Sequence, residues 1–273
     1  MRIATWNVNS LKARLPKVVR WLDYAQPDVL CMQETKLDDA AFPVMAFGDL
    51  GYEVAFHGQG RWNGVAIASR VGLRDVRTGF VDHNAGLPEE ARMVTASCGG
   101  VQVSSVYVPN GRSIEDDQYQ YKLRWLEHLG GELARHGDPD EPLAICGDFN
   151  IAPEDRDVFD PTRFVGATHT SQPERAALQQ MLAWGMADSF RLVYPDTGDL
   201  FTWWDYRSGD FHKHRGMRID LILVSRRLVP QVRWALVDRE ARKGLGSPEP
   251  PSDHAPLVVD LDAGSAEIGP ASG

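Results

Sequence analysis

The residues able to do chemistry stand at the ends of apolar runs. Pro142-Leu143-Ala144-Ile145-Cys146 leads directly into Gly147-Asp148-Phe149-Asn150, which reads as a short buried strand stopping on a carboxylate and an amide. Polar groups placed there are costly to desolvate, a cost tolerated when they bind a metal, a phosphate or a reacting water. A strand-end turn, in which Asp148 and Asn150 bond only their own backbone, is the competing reading. The arrangement recurs. Asn7 closes Arg2-Ile3-Ala4-Thr5-Trp6, Glu34 follows Val29-Leu30-Cys31-Met32-Gln33, and Asp253-His254 precede a strand at Pro256. Asp220 is embedded in Arg218-Ile219-Asp220-Leu221-Ile222-Leu223, where a strand would bury it. One buried acid is ordinarily a satisfied structural residue. Several on one edge repel and raise one another's pKa, a conflict that a divalent cation removes. Oxygen ligands such as Glu34, Asp148, Asp253 and the amide of Asn7 suit magnesium or manganese better than zinc. His254 brings an imidazole that changes charge near neutral pH, or else merely caps the strand after it.

Other chemistries fit poorly. Ser252, Asp253 and His254 are adjacent, whereas a hydrolytic triad stacks its members in space, and no Gly-x-Ser-x-Gly elbow occurs. Neither a triphosphate-binding loop nor a dinucleotide fingerprint is present. Phe201-Thr202-Trp203-Trp204-Asp205-Tyr206 is dense in aromatics, and a strand could not hide both Trp203 and Trp204 on one face. Up to Arg227 the bases Arg207, Lys213, Arg215, Arg218, Arg226 and Arg227 face only Asp205, Asp210 and Asp220. Aromatics beside arginines suit a nucleic-acid groove or a pocket for an unstacked sugar. The formal charge of −9 argues against such a partner only as an average.

These residues need a scaffold to bring them together. A length of 273 residues supports one large domain, read as a single catalytic unit over 1–261 with a small, polar, disordered tail at 262–273. Strands are predicted at 2–6, 29–32, 52–56, 65–69, 93–97, 101–108, 219–224, 232–237 and 256–261, besides the run at 142–146. Helices are predicted from Leu11 to about Ala25, over 117–133 and over 173–184, and a long surface loop over 239–252. Strands alternating with helices give an α/β class in which helices cover sheets. Pro27-Asp28-Val29-Leu30 and Pro142-Leu143-Ala144-Ile145 loosely echo each other, as in a doubled unit. Cys31, Cys98 and Cys146 read as reduced, buried small hydrophobes, which suits the cytoplasm. No signal peptide and no run of membrane-spanning length is read from the sequence.

Six segments, in this order, resemble the exonuclease III family of apurinic/apyrimidinic endonucleases. They are Gln33-Glu34-Thr35-Lys36, Tyr107-Val108-Pro109-Asn110-Gly111, Gly147-Asp148-Phe149-Asn150, Trp203-Trp204-Asp205-Tyr206-Arg207, Arg218-Ile219-Asp220 and Ser252-Asp253-His254. The resemblance runs from Thr5 through Leu257. It implies a deoxyribonuclease-I-like four-layer α/β sandwich of two facing mixed sheets with helices outside. It also implies magnesium as cofactor, with manganese a possible substitute, held among Asn7, Glu34, Asp148, Asn150 and Asp253. Asp148, helped by Asn150, would aim or deprotonate water. His254, held by Asp220, would contact the phosphate, with Tyr107 beside it. Asn110, Arg112 and Arg218 would touch DNA, and Trp203, Trp204 and Met217 would line a pocket for an extruded sugar.

The activity implied is hydrolysis of the DNA backbone 5′ of abasic sites, with 3′–5′ exonuclease and 3′-phosphodiesterase activity. The partner is duplex DNA carrying abasic sites or blocked or recessed 3′ ends, the protein acting as a monomer away from membranes. A dedicated exonuclease, or a phosphatase of the same fold acting on inositol phosphates, sphingolipids or RNA tails, remains open. The Trp203–Arg207 segment favours DNA. A non-catalytic adaptor is disfavoured because no matched catalytic position is missing. His169 departs from the family's pattern, which is less polar there. The preferred reading is a surface-loop histidine without a role; in the sugar pocket it would instead shift activity toward 3′-end trimming.

Overall fold

Apolar runs whose residues are buried on both faces become interior strands, and their order decides where the polar ends meet. A computed structural model describes residues 1–82, 86–243 and 248–262. Among these the strands are β1 (Arg2–Asn7), β2 (Val29–Gln33), β3 (Glu53–His57), β4 (Val65–Ser69), β5 (Arg74–Thr78), β6 (Met93–Cys98), β7 (Val101–Tyr107), β8 (Leu143–Asp148), β9 (Met186–Asp188), β10 (Asp220–Ser225), β11 (Val232–Val237) and β12 (Leu257–Leu261). The helices are α1 (Leu11–Ala25), α2 (Val44–Gly48), α3 (Asp117–His136), α4 (Gln172–Trp184), α5 (Ser189–Val193) and α6 (Arg239–Arg242).

The strands form two six-stranded mixed sheets, ordered β11-β12-β1-β2-β4-β3 and β5-β6-β7-β8-β10-β9. Each is built around one parallel pair, β1 with β2 and β7 with β8, so the echo between the two halves of the sequence corresponds to equivalent places in the two sheets. Ile3, Val29, Cys31 and Ile67 of one sheet meet Val103, Ala144, Cys146 and Ile222 of the other in the central core. Trp21, Leu22 and Phe47 cover the outer face of the first sheet. Tyr121, Leu126, Leu129 and Leu178 of α3 and α4 cover that of the second. This is the expected four-layer sandwich.

Departures from the sequence reading have simple causes. β5 is an almost wholly exposed edge strand paired only to β6, so Arg74-Asp75-Val76-Arg77-Thr78 shows no apolar alternation to detect. β9 spans three residues. The stretch expected as a loop over 239–252 opens with α6, capped by the Asp238 side chain accepting from the Glu240 amide; residues 244–247 lie outside the described residues. So does the tail from 263 onward. Nor do the bases between 201 and 227 form one surface. Arg226 pairs with Asp140 past the far end of β10, and Arg218 is fully buried.

The sheets converge on one edge. Asn7, Tyr107 and Asp148 end parallel strands, while Asp220 begins β10 and is paired in register with Asp148. At Gly147 a Cβ would collide with the backbone carbonyl of Val106 in the neighbouring strand. Gly147→Ala is expected to lower the unfolding free energy by about 1–3 kcal/mol through overpacking, seen as an earlier urea midpoint at unchanged slope.

Candidate active site

Each chemical side chain is fixed by the turn that follows or precedes its strand. After β2 the chain enters a left-handed turn at Glu34, φ 52°. The turn is held by Ser10 N–H donating to the Glu34 carbonyl at 2.7 Å and Thr35 N–H to Gly64 at 3.1 Å. After β8 a similar turn at Asn150, φ 51°, lets the Asn150 amide donate to Asp148 Oδ1 at 2.9 Å. The strand-end hydrogen bond of the plain reading is therefore present, but it uses one oxygen only. Asp148 Oδ2 accepts from Asn7 Nδ2 at 2.9 Å and lies 3.8 Å from His254 Nε2. Before β12, the Ser252 hydroxyl donates to the Asn7 carbonyl at 2.7 Å and accepts from His254 N–H at 3.2 Å. That staple joins the two ends of the chain at the site.

A cleft of about 370 Å³ results, with Glu34, Tyr107, Asp148, Asn150, Asp253 and His254 in its lining. His254 Nδ1 donates to Asp220 Oδ2 at 2.8 Å, which directs Nε2 toward Asp148. Burial disfavours the imidazolium, yet the charges of Asp220, Asp148 and Asp253 overcome it and lift the His254 pKa to about 10. Burial drives Asp148 up to about 7, with Asp220 and Glu34 pushing the same way and His254 and Asn7 opposing. A carboxyl poised near neutrality matches a group that must exchange a proton at that pH. Burial, reinforced by Glu34 and Asp148, raises the Tyr107 hydroxyl well above its ordinary range, so it stays a donor. Asp253 is held below the usual carboxylate range despite burial, because His254 is close and Asn9 and Trp203 donate to it.

Glu34, Asp148 and His254 bring one ligand atom each within 4.8 Å of one another. Since His254 is protonated, its Nε2 has no lone pair to offer, and the donors left are oxygens. Such a set fits a hard divalent cation. Lys36 Nζ steadies the outer Glu34 oxygen at 2.9 Å and Asn9 Oδ1 at 2.6 Å. Asn7 instead clamps Glu34 and Asp148 through its amide nitrogen, at 2.8 and 2.9 Å, with its oxygen turned to the Asn9 amide. Asp253 sits at the mouth with both oxygens engaged by Asn9 and Trp203.

Of the residues expected to meet DNA, Asn110, Trp203 and Met217 line the cleft. Arg112 is exposed, 3.7 Å from Asp116, and its backbone amide donates to Asn110 Oδ1. Two others lie elsewhere. Trp204 is fully buried, edge-on to Phe211 at 5.1 Å with Arg239 over its ring, so it packs the core behind Trp203. Arg218 is fully buried too, donating to Asp157 at 2.7 and 3.2 Å and Asp188 at 2.7 Å, and reaches no solvent-borne ligand.

Contrary to the preferred reading of the sequence, His169 is not on an open surface loop. It lines the cleft, with Nε2 3.0 Å from Asn150 Oδ1 and 3.2 Å from Asn110 Nδ2. Burial, together with the charge of Lys122, pushes its pKa down to about 3, so the ring is neutral. Residues that the sequence did not single out include Thr202, whose hydroxyl accepts the amides of Ile219 and Asp220 at 3.1 Å, and Phe164 of the cleft wall. Asn9 and Lys36 were signalled only by their places in or near matched segments.

The His254–Asp220 pair has a defined pH signature. Its folded-state pKa, about 10, lies above the ordinary 6.5, so its contribution to stability is complete below pH 6.5 and fades as pH climbs toward 10. Asp220→Asn removes the largest part of that contribution, leaving what Asp148 and Asp253 supply. In chelator, the stability gap between wild type and this variant, followed by urea unfolding, should be widest at pH 6 and shrink steadily toward pH 10.

The Endonuclease/Exonuclease/phosphatase family profile matches residues 4–254. Exodeoxyribonuclease III of Haemophilus influenzae is 34% identical over 270 residues, covering 96% of this chain and all of that protein. An AP endonuclease from Archaeoglobus fulgidus superposes with a TM-score of 0.91 at 38% identity, covering 96% of this chain and 99% of that one. A 3′-5′ exonuclease from Neisseria meningitidis, NExo, gives 0.86 at 40% identity, covering 96% and 100%. A substituted form of NExo from Neisseria, described as a 3′ phosphatase and bound to a product DNA hairpin, gives 0.86 at 39% identity, covering 96% and 99%.

Proposed function

This chain belongs to the endonuclease/exonuclease/phosphatase family, and from that premise we propose that it is a DNA-repair nuclease that hydrolyses backbone phosphodiesters 5′ of abasic sites and at 3′ ends. One observation carries the reading. Asp148 is buried, titrates near 7 and faces the protonated edge of a histidine that Asp220 holds in place. That is the pairing of a base for water with a cation for a phosphoryl oxygen.

In this scheme Asp148 takes the proton from the attacking water and its orientation is kept by the Asn150 amide and Asn7. His254 Nε2–H and the Tyr107 hydroxyl donate to the phosphoryl oxygens as charge builds on them. Glu34, with Asp148 beside it, would hold a divalent cation, magnesium or manganese by its oxygen donors, which when bound neutralises phosphate charge and assists the leaving alkoxide. Trp203, Met217, Ile219 and Phe164 form an apolar wall against which a baseless sugar can lie. Among the described residues no helix is long and apolar enough to cross a membrane, and three free buried cysteines fit a reducing compartment, the cytoplasm. The enzyme acts as a monomer on duplex DNA.

Asp148→Asn should fold normally and lose about 10²–10⁴-fold in kcat, measured on a duplex with one abasic analogue in magnesium. Wild type should cut on the 5′ side of the lesion and stop when chelator is added; an uncut lesion would sink the abasic-site reading.

His169 favours a second reading, an enzyme given mainly to 3′ ends. Its ring occupies part of the cleft that an abasic sugar would enter. At φ 77° its backbone lies where glycine is at ease, so His169→Gly opens the cleft without strain. On this reading the substitution raises abasic incision about tenfold, a change worth roughly 1.4 kcal/mol of barrier, and leaves trimming of a recessed 3′ end nearly unchanged. Equal effects on both DNAs would return the assignment to the first reading.

A further inference from the structure

Behind the cleft lies a second charged pair that the hydrolytic scheme does not use. Lys122 of α3 and Glu174 of α4 form an ion pair with both side chains 0% exposed. Lys122 Nζ also donates to the carbonyl oxygens of Asn150 at 2.6 Å and Asn110 at 3.3 Å, and lies 3.4 Å from Thr168 Oγ1. One Glu174 oxygen accepts from the Thr168 hydroxyl at 2.8 Å and from His169 N–H at 3.0 Å. The other accepts from the Ser171 amide at 3.0 Å and hydroxyl at 2.6 Å.

Three separate stretches of chain thus meet on one ion pair. Each turns through the left-handed region, at Gly111 and Arg112 (φ 88° and 56°), Asn150 (51°) and His169 (77°). Each delivers a side chain to the cleft, and the three are bonded together. Asn110 Nδ2 and His169 Nε2 lie 3.1 and 3.0 Å from Asn150 Oδ1. The packing is close: a Cβ on Gly111 would stand 2.8 Å from Thr168 Oγ1 and 3.1 Å from Lys122 Cδ.

Part of this is ordinary helix chemistry, because Ser171 and Glu174 form the capping box of α4. A capping box needs no buried lysine, and it leaves the bonds to Asn110, Asn150 and His169 unexplained. Nor is stability a sufficient reason, since a buried ion pair can often be replaced by apolar residues without loss. Left-handed backbone at non-glycine residues, by contrast, persists only where its surroundings hold it.

We propose that Lys122 and Glu174 are positioning residues, a charged clasp that keeps Asn110, Asn150 and His169 in register within the cleft and so sets turnover and the choice between an abasic sugar and a 3′ end. The proposal rests on the nuclease reading above. It is tested by the Lys122→Met/Glu174→Gln double variant, which removes both charges and keeps the α4 cap, compared with wild type on an abasic duplex and a recessed 3′ end, alongside urea unfolding and amide hydrogen exchange. The expected result is a variant as stable as wild type whose kcat falls about 100-fold with little change in KM, the scale set by misplacing a site by about an ångström. Exchange should quicken in 110–112, 150–152 and 168–171 only, and the ratio of the two activities should change. A stable variant with wild-type kcat, ratio and exchange would overturn the clasp. Should the double variant not fold, Glu174→Gln alone decides, since it keeps the cap and the acceptor facing Lys122 while removing the charge, with wild-type kcat again overturning the clasp. Failure of the wild-type protein to cut either DNA would sink the nuclease reading, while the exchange comparison would still judge the clasp.

Discussion

Negative charge gathered at one edge of two sheets is the constraint that the rest of the molecule answers. Asp148 and Asp220 lie opposite each other in neighbouring strands and are almost completely buried, with Glu34 nearby. At low dielectric these groups cannot all ionise unaided. The protein meets the conflict in three ways. His254 inserts a positive charge between the two aspartates, Asn7 donates to Glu34 and Asp148 at once, and Asp148 yields by titrating near 7. A deficit of positive charge remains around Glu34 and Asp148, met only at the outer oxygen by Lys36. The same imbalance that would destabilise a core suits a cation site and a base.

Holding such groups in place calls for backbone that a sheet alone does not provide. Asn9, Glu34, Lys36, Asn150 and His169 all adopt positive φ around the cleft. Each such residue costs on the order of 1–3 kcal/mol where its conformation is strained, less for asparagine. The cost is borne by structure on both sides: a close-packed inter-sheet core whose strands end in register, and buried polar ties such as the Ser252 hydroxyl on Asn7 and the Lys122–Glu174 pair. Rigidity originates in the apolar layers, and the turns spend it on aiming side chains.

Periodicity and polarity made much of this readable. Strands buried on both faces, such as β1, β2 and β8, are mostly apolar runs with polar terminators, so Asn7, Glu34 and Asp148 stand out in the sequence alone. The exposed edge β5 carries no such pattern. Pair identities were less legible. Arg218 looked like a DNA contact because sequence shows its charge but not Asp157 and Asp188, brought to it from other elements. Trp203 and Trp204 could not be told apart by alternation, since they precede β10 in irregular chain. His169 looked idle for a similar reason: its partners Asn110 and Asn150 are close only after α3 and α4 pack together. Contacts made by tertiary packing leave no local signal.

The same locality resolves how a protein of net charge −9 can receive a polyanion. At physiological ionic strength charges more than about 8 Å apart through solvent are largely screened, so a phosphate entering the cleft responds to what lines it. There it meets His254, carrying a proton throughout the neutral range, with Lys36 paired to Glu34 and exposed Arg112 next to Gly111 as further cations. Acidic groups elsewhere, many of them paired with arginine as at Asp260 and Asp140, contribute little to that encounter. Screened long-range repulsion and attraction only at contact together favour a phosphate that can be placed deep in the cleft. An intact duplex keeps its sugars stacked outside, whereas a lesion or a frayed 3′ end does not. On the reading proposed above, the acidity of the whole and the close-range cations His254 and Arg112 work in the same direction, toward damaged DNA rather than all DNA.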